Sequence, residues 1–98
     1  MKFNEIPDAF GTKLRLHIIA SLLHTEHDFK SLKEITGATD GNLSAQLTKL
    51  VESEYITMEK KFVANKPQTT YYITKKATAD YKDFVTLLLE QIVKPKGK

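Results

Sequence analysis

Apolar residues return every three to four positions over residues 12–24, where Leu14, Ile18 and Leu22 run beside Leu16, Ile19 and Leu23. A stripe that wide touches two neighbours, so it predicts a first helix buried on more than one side. The preceding IPDAFG carries a proline and a glycine and reads as a turn, or a single helical turn, leading in. After His24 the polar run Thr25, Glu26, His27 breaks the pattern. Asp28 then stands where an N-cap belongs, opening a short second helix with Phe29, Leu32 and Ile35 inward and Gly37 as its stop.

Thr39 is the N-cap candidate of a third helix, joined to the second through a short glycine-bearing turn, which makes the pair a helix-turn-helix unit. Leu43, Leu47, Leu50 and Val51 share one face of the string TDGNLSAQLTKLVESEYI, residues 39–56. At about 100° per residue the opposite face centres on Gly41, Ala45, Thr48 and Glu52, flanked by Asn42 and Lys49. Small residues on that face let a backbone approach a groove closely.

The pattern then changes period. Ile56, Met58 and Phe62 alternate with Thr57, Glu59 and Lys61, and residues 69–74 are dense in threonine, tyrosine and isoleucine. Both runs read as strands, closed into a hairpin through a flexible basic tip at ANKPQ. Thr74 caps a last helix over residues 75–93, with Tyr81, Phe84, Val85, Leu88 and Ile92 as a regular stripe. Leu87 and Leu89 widen it beyond what one small core covers, and a surplus apolar face predicts a partner. The expected fold is therefore α+β and mostly α: a three-helix core, a β-hairpin wing and a long C-terminal helix, in a single domain over residues 1–98.

Composition bounds this picture without changing it. A chain of 98 residues makes one ordinary domain, folding of which buries roughly 60 to 68% of the unfolded surface. It has no cysteine, which excludes disulfides and thiolate metal sites and fits a cytoplasmic location. Residues 1–10 carry Lys2, Glu5 and Asp8 without an apolar run, so no secretory signal is expected. The apolar stretches near residues 16–23 and 85–89 are too short for a bilayer core of about 30 Å, so no membrane partner is expected.

Charge adds a location. Residues 60–76 hold five lysines and no acid, a local +5 within a chain of net +3, so the remainder sums to −2. The positive charge sits in the hairpin and the turn after it. A second cluster, Lys94, Lys96 and Lys98, reads as a solvated tail.

The order helix, helix, helix, hairpin, helix, with TDGNLSAQLTKLVESEYI followed by KKFVANKPQTTYYIT, resembles the small winged helix transcriptional regulators related to the MarR and ArsR groups. The likeness covers about residues 13–81. It implies a homodimeric DNA-binding regulator whose third helix enters the major groove, with the wing on adjacent backbone or minor groove and the first and last helices building the dimer. Two departures stand out. Ala45 and Gln46 occupy positions where relatives commonly carry Arg or His, and Lys75, Lys76 and Ala77 replace an acidic residue and a glycine.

The candidate contacts to double-stranded DNA follow from side-chain chemistry. Asn42 and Gln46 carry amides that pair bidentately with an adenine edge, and Lys49 reaches a phosphate or guanine. Thr39, Ser44 and Thr48 are phosphate donors around the small Ala45, and Gln68 joins them from the wing. Lys61 and Lys66 neutralise phosphates; Lys60 is a weaker candidate, because strand parity puts it with Ile56 and Phe62. The dimer candidates are Leu16, Tyr81, Phe84, Leu87, Leu88, Leu89 and Ile92. The rival reading is a winged helix docking module whose lysines meet an acidic protein.

Other chemistry has little to stand on. There is no glycine-rich phosphate loop, no Gly-x-Ser-x-Gly and no cysteine nucleophile, so no enzymatic activity and no cofactor are expected. His17, His24 and His27, with Glu26 and Asp28, lack the convergent spacing of a ligand set, so no metal is expected. No residue pattern demands a small-molecule effector.

Overall fold

The computed structural model describes residues 1–93; the tail with Lys94, Lys96 and Lys98 lies outside the described residues. Two 3-10 turns, Phe3–Glu5 and Asp8–Phe10, lead into helix α1 (Lys13–Leu22). Strand β1 (His27–Asp28) precedes helices α2 (Phe29–Thr36) and α3 (Asp40–Glu52). Strands β2 (Ile56–Val63) and β3 (Lys66–Ile73) form the wing, and helix α4 (Lys75–Val93) follows. The fold is α+β and mostly helical, with a three-stranded antiparallel sheet ordered β1-β3-β2.

Each helix starts on a residue chosen for its side-chain oxygen. Thr12 accepts from Arg15 N at 3.2 Å, Asp28 from Ser31 N at 2.8 Å and Thr39 from Asn42 N at 3.2 Å. Thr74 does the same for α4, accepting from Ala77 N at 3.2 Å while its hydroxyl donates to Glu54 O at 2.8 Å. These contacts satisfy amides that have no partner within a helix. Gly37 ends α2 with φ of 71°, a left-handed conformation open to glycine at little cost.

The core gathers Ile18, Ile19 and Leu22 of α1, Leu32 of α2, Leu43, Leu47 and Leu50 of α3, Tyr55 just before β2, and Ile56 and Tyr71 from the sheet. Leu14 and Leu16 pack at its margin. Phe10 is buried in front of it and gathers an aromatic group. Its ring centre lies 4.9 Å from that of Phe84 in a stacked arrangement, 5.8 Å from Tyr81 edge-on and 5.7 Å from Tyr55. The Tyr55 hydroxyl donates to Asp80 Oδ2, and Lys76 Nζ donates to Ser53 O at 3.2 Å, which together fasten α4 to the corner between α3 and β2.

Several expectations from periodicity are corrected. Ile35 is exposed rather than inward, because α2 is short and Leu32 alone among its residues is fully buried. Alternation along β2 leads to the core only at Ile56; Met58 and Phe62 are exposed because the hairpin runs on past the helices. The hairpin tip is not a flexible ANKPQ loop. Ala64 and Asn65 form a two-residue turn with φ of 53° and 64°, and Lys66, Pro67 and Gln68 already belong to β3. Positive φ at both positions is the signature of a type I′ hairpin turn, whose twist matches that of the strands. His27 and Asp28 form a strand that pairs with Tyr71 and Thr70, where the sequence read as a polar break.

Candidate nucleic-acid interface

Helix α3 is presented by its own inner face. With Leu43, Leu47 and Leu50 locked in the core, Thr39, Gly41, Asn42, Ser44, Ala45, Thr48 and Lys49 are all exposed on the outside. Asp40, which would repel a phosphate, is paired with Lys33 of α2 at 2.7 Å. An ion pair so exposed adds roughly 0–1 kcal/mol to stability, so its local effect is to neutralise the start of the outward face of α3. Gly41 is not required by packing, since a Cβ there meets no heavy atom within 4 Å.

Gln46 sits differently from its neighbours. It is half-buried, and its Oε1 accepts from Arg15 Nη1 at 2.8 Å while its Nε2 donates to Asn42 Oδ1 at 3.3 Å. Arg15 Nη2 also donates to Asp8 O at 3.0 Å. An arginine only donates, so Gln46 must turn its oxygen inward and its nitrogen toward Asn42. Asn42 Nδ2 is therefore the amide donor left facing outward. Thr48, expected as a phosphate donor, directs its hydroxyl at Ser44 O, 3.0 Å away.

The wing supplies charge from both of its faces. Lys66 is exposed beside the turn. Lys61 Nζ lies 3.4 Å from Glu59 Oε1, to which the Tyr72 hydroxyl also donates at 3.1 Å. The hydrogen bond and charge of Glu59 push the Lys61 ammonium above its ordinary value. A phosphate must compete with that carboxylate. Gln68 is half-buried; its Nε2 donates to Asp28 Oδ2 at 2.5 Å, tying β3 to the cap of α2 beside a shallow depression that both residues line. Asp28 is held below the usual carboxylate range, chiefly by the Ser31 amide, with Gln68, Lys30 and His27 adding to the effect against partial burial.

Lys60 emerges as a stronger candidate than its parity suggested. Its face of β2 is the core face only at Ile56; farther out it overhangs α3. There Lys60 lines a cleft of about 410 Å³ with Ser44, Thr48, Met58, Thr69 and Tyr71, and with the Glu52 carboxylate of α3. The Lys60 ammonium and the Ser44 and Thr69 hydroxyls suit a phosphodiester strand, which Glu52 opposes. Arg15 went unnoticed in the sequence for the opposite reason, a charge among apolar helix positions. The signal available was that it is the chain's single arginine among fourteen lysines.

Beyond this surface, α4 leaves Val85, Leu88, Leu89, Ile92 and Val93 exposed, whereas Leu87 is 7% exposed and buried within the chain itself. Tyr81 and Phe84 pack against the chain's own core. Among the described residues no three His, Cys, Asp or Glu side chains converge to hold a metal ion, and no helix is long and apolar enough to cross a membrane.

Known proteins share this fold. The chain is 32% identical over 82 residues to an uncharacterized protein of Methanocaldococcus jannaschii, covering 83% of this chain and 89% of that one. A transcriptional regulator homologue from Pyrococcus horikoshii superposes with a TM-score of 0.78 at 26% identity, covering 86% of this chain and 84% of that chain. A protein assigned to the MarR family of transcriptional regulators, from Enterococcus faecalis, gives 0.80 at 18% identity over 91% of this chain and 81% of that chain. Residues 14–93 match the family model described as a winged helix DNA-binding domain, and the chain belongs to that family.

Proposed function

We propose that the protein is a dimeric, sequence-specific transcriptional regulator that represses by occupying a promoter. Helix α3 enters the major groove of double-stranded DNA with Asn42 as its outward amide, and the wing lysines grip the backbone. The observation that carries this reading is the exposed polar face of α3 with Lys60 lining the cleft beside it, while Lys61 and Lys66 add charge on the wing's other face. Likeness to a transcriptional regulator homologue at 26% identity supports the regulatory role.

The dimer is proposed from α4, where Leu88, Leu89 and Ile92 leave an apolar stripe in water. Its residues, with Leu16 at the margin, are the surface a second copy would cover. Two-fold pairing sets two α3 helices about 34–36 Å apart and calls for a pseudo-palindromic operator. Selection of duplex DNA from a random pool with the purified protein tests binding, symmetry and target together. A palindromic consensus is the expected result. Failure to enrich any sequence, with no salt-dependent affinity for duplex, would leave a docking domain for an acidic protein as the better account.

A further inference from the structure

Phe62 is 80% exposed, more than any other large apolar side chain among the described residues, and it stands one residue from the end of β2. With exposed Pro67 opposite it, Phe62 leaves an apolar surface in water that a partner would cover. The strand that carries it closes at the Ala64-Asn65 turn, which has positive φ at both residues, and Val63 faces Lys66 across the closing pair. That closing pair is of the hydrogen-bonded kind, so the next pair, Phe62 opposite Pro67, is the closer, non-hydrogen-bonded kind. Proline fits there because its missing N–H points away from β2.

The tip thus carries Phe62 and Pro67 on one face together with Lys60, and Lys61 and Lys66 on the other. Over residues 56–73 three lysines stand against one glutamate, a net +2. Its complement is a narrow slot with negative walls and an apolar interior. A DNA minor groove, about 6 Å wide, supplies the negative walls, and a base step opened from its floor supplies the apolar interior. Reach is sufficient: eight strand residues span about 26 Å, and the next minor groove lies half a helical turn, roughly 17 Å, from the major groove.

We propose that Phe62, backed by Pro67, enters the minor groove flanking α3 and wedges into a base step, opening the stack. The proposal rests on the DNA-binding reading above and adds to it a residue that deforms the duplex. Steps that unstack readily, TA and CA/TG, are preferred at that position, so the wing confers selectivity without touching base edges.

The test uses the full chain and end-labelled duplexes carrying 2-aminopurine beside a TA step moved through successive positions. Wild-type protein should raise the fluorescence at one or two positions outside the α3 footprint. Phe62→Ala should abolish the rise and bind about tenfold more weakly with an unchanged salt slope; Phe62→Leu, still an apolar wedge, should keep most of both. Binding without a rise at any position, or a Phe62→Ala protein that unstacks as wild type does, overturns the wedge while leaving the regulator intact. A Phe62→Ala protein whose sedimentation changes without DNA would mark Phe62 as a contact between copies and also overturns it. A wild-type protein with no affinity for duplex overturns the regulator reading and the wedge together.

Discussion

Arg15 Nη1 donates to Gln46 Oε1 at 2.8 Å, so the first helix decides how the third presents its amides. Arg15→Ala leaves a half-buried carbonyl oxygen without a donor and releases Gln46 to rotate. The expected loss is about 1–3 kcal/mol in urea unfolding, together with an altered preference at one base pair in DNA selection. Arg15→Lys should recover little, because a single ammonium replaces a planar fork that serves both Gln46 and Asp8. Unchanged stability in both variants would show that the contact is idle.

Gly41 costs helix stability without any packing demand for it, since a Cβ there meets nothing within 4 Å. Gly41→Ala should therefore stabilise the folded chain by up to about 1 kcal/mol. DNA affinity should move the other way, because the added methyl stands where the helix meets the groove. Tighter binding alongside higher stability would argue against close approach at this turn.

Charges on the wing should act with opposite signs. Lys60→Ala and Lys66→Ala should each lower the dependence of log affinity on log salt by about one unit, uniformly across sequences. Glu59→Gln should strengthen binding to any duplex, since it removes a negative charge and releases Lys61 from its 3.4 Å pairing. Titrations at several salt concentrations separate these effects from sequence preference. A Glu59→Gln protein that binds more weakly would mean that Lys61 needs Glu59 to hold its position.

Stability should fall at alkaline pH through Tyr55. Burial, then its hydrogen bond to Asp80 and that residue's charge, push the phenol above its ordinary value. A raised pKa means that the neutral form is favoured in the folded state. The contribution is fully present below about pH 10, the ordinary phenol value, and declines as pH rises through the folded value. Tyr55→Phe keeps the ring beside Phe10 but loses the hydroxyl, so it should cost about 0.5–1.5 kcal/mol near neutrality. Its unfolding free energy should also fall less steeply than wild type above pH 10. Parallel curves for the two proteins would disprove the assignment.

On α4, neighbouring leucines should behave differently. Leu88→Glu with Leu89→Glu should shift sedimentation from dimer to monomer with little change in the melt of the monomer, since both side chains are exposed in one chain. Leu87→Ala should instead cost about 2–5 kcal/mol, the usual penalty for emptying a buried leucine site. A double variant that stays dimeric would move the proposed interface elsewhere.

The order of the four helices and the hairpin, the caps Asp28, Thr39 and Thr74 and the inward leucines of α3 were legible in the residues because they depend on local chemistry: a side-chain oxygen at a helix start, a three-to-four residue period, a glycine at the stop. The outward side of α3 followed from the same helical geometry. Other features depend on what lies across space. Alternation along β2 is the same whether the strand covers a core or overhangs a helix, so the exposure of Met58 and Phe62 and the setting of Lys60 needed the tertiary structure. So did the pairing of His27 and Asp28 with Tyr71 and Thr70, because two residues carry no periodicity. Arg15 reaches Gln46 across thirty-one positions and Gln68 reaches Asp28 across forty. Sequence by itself determined a helix-turn-helix with a basic hairpin; only packing decided which polar groups on it are committed within the chain, because a hydrogen bond between distant residues leaves no mark on the neighbours of either.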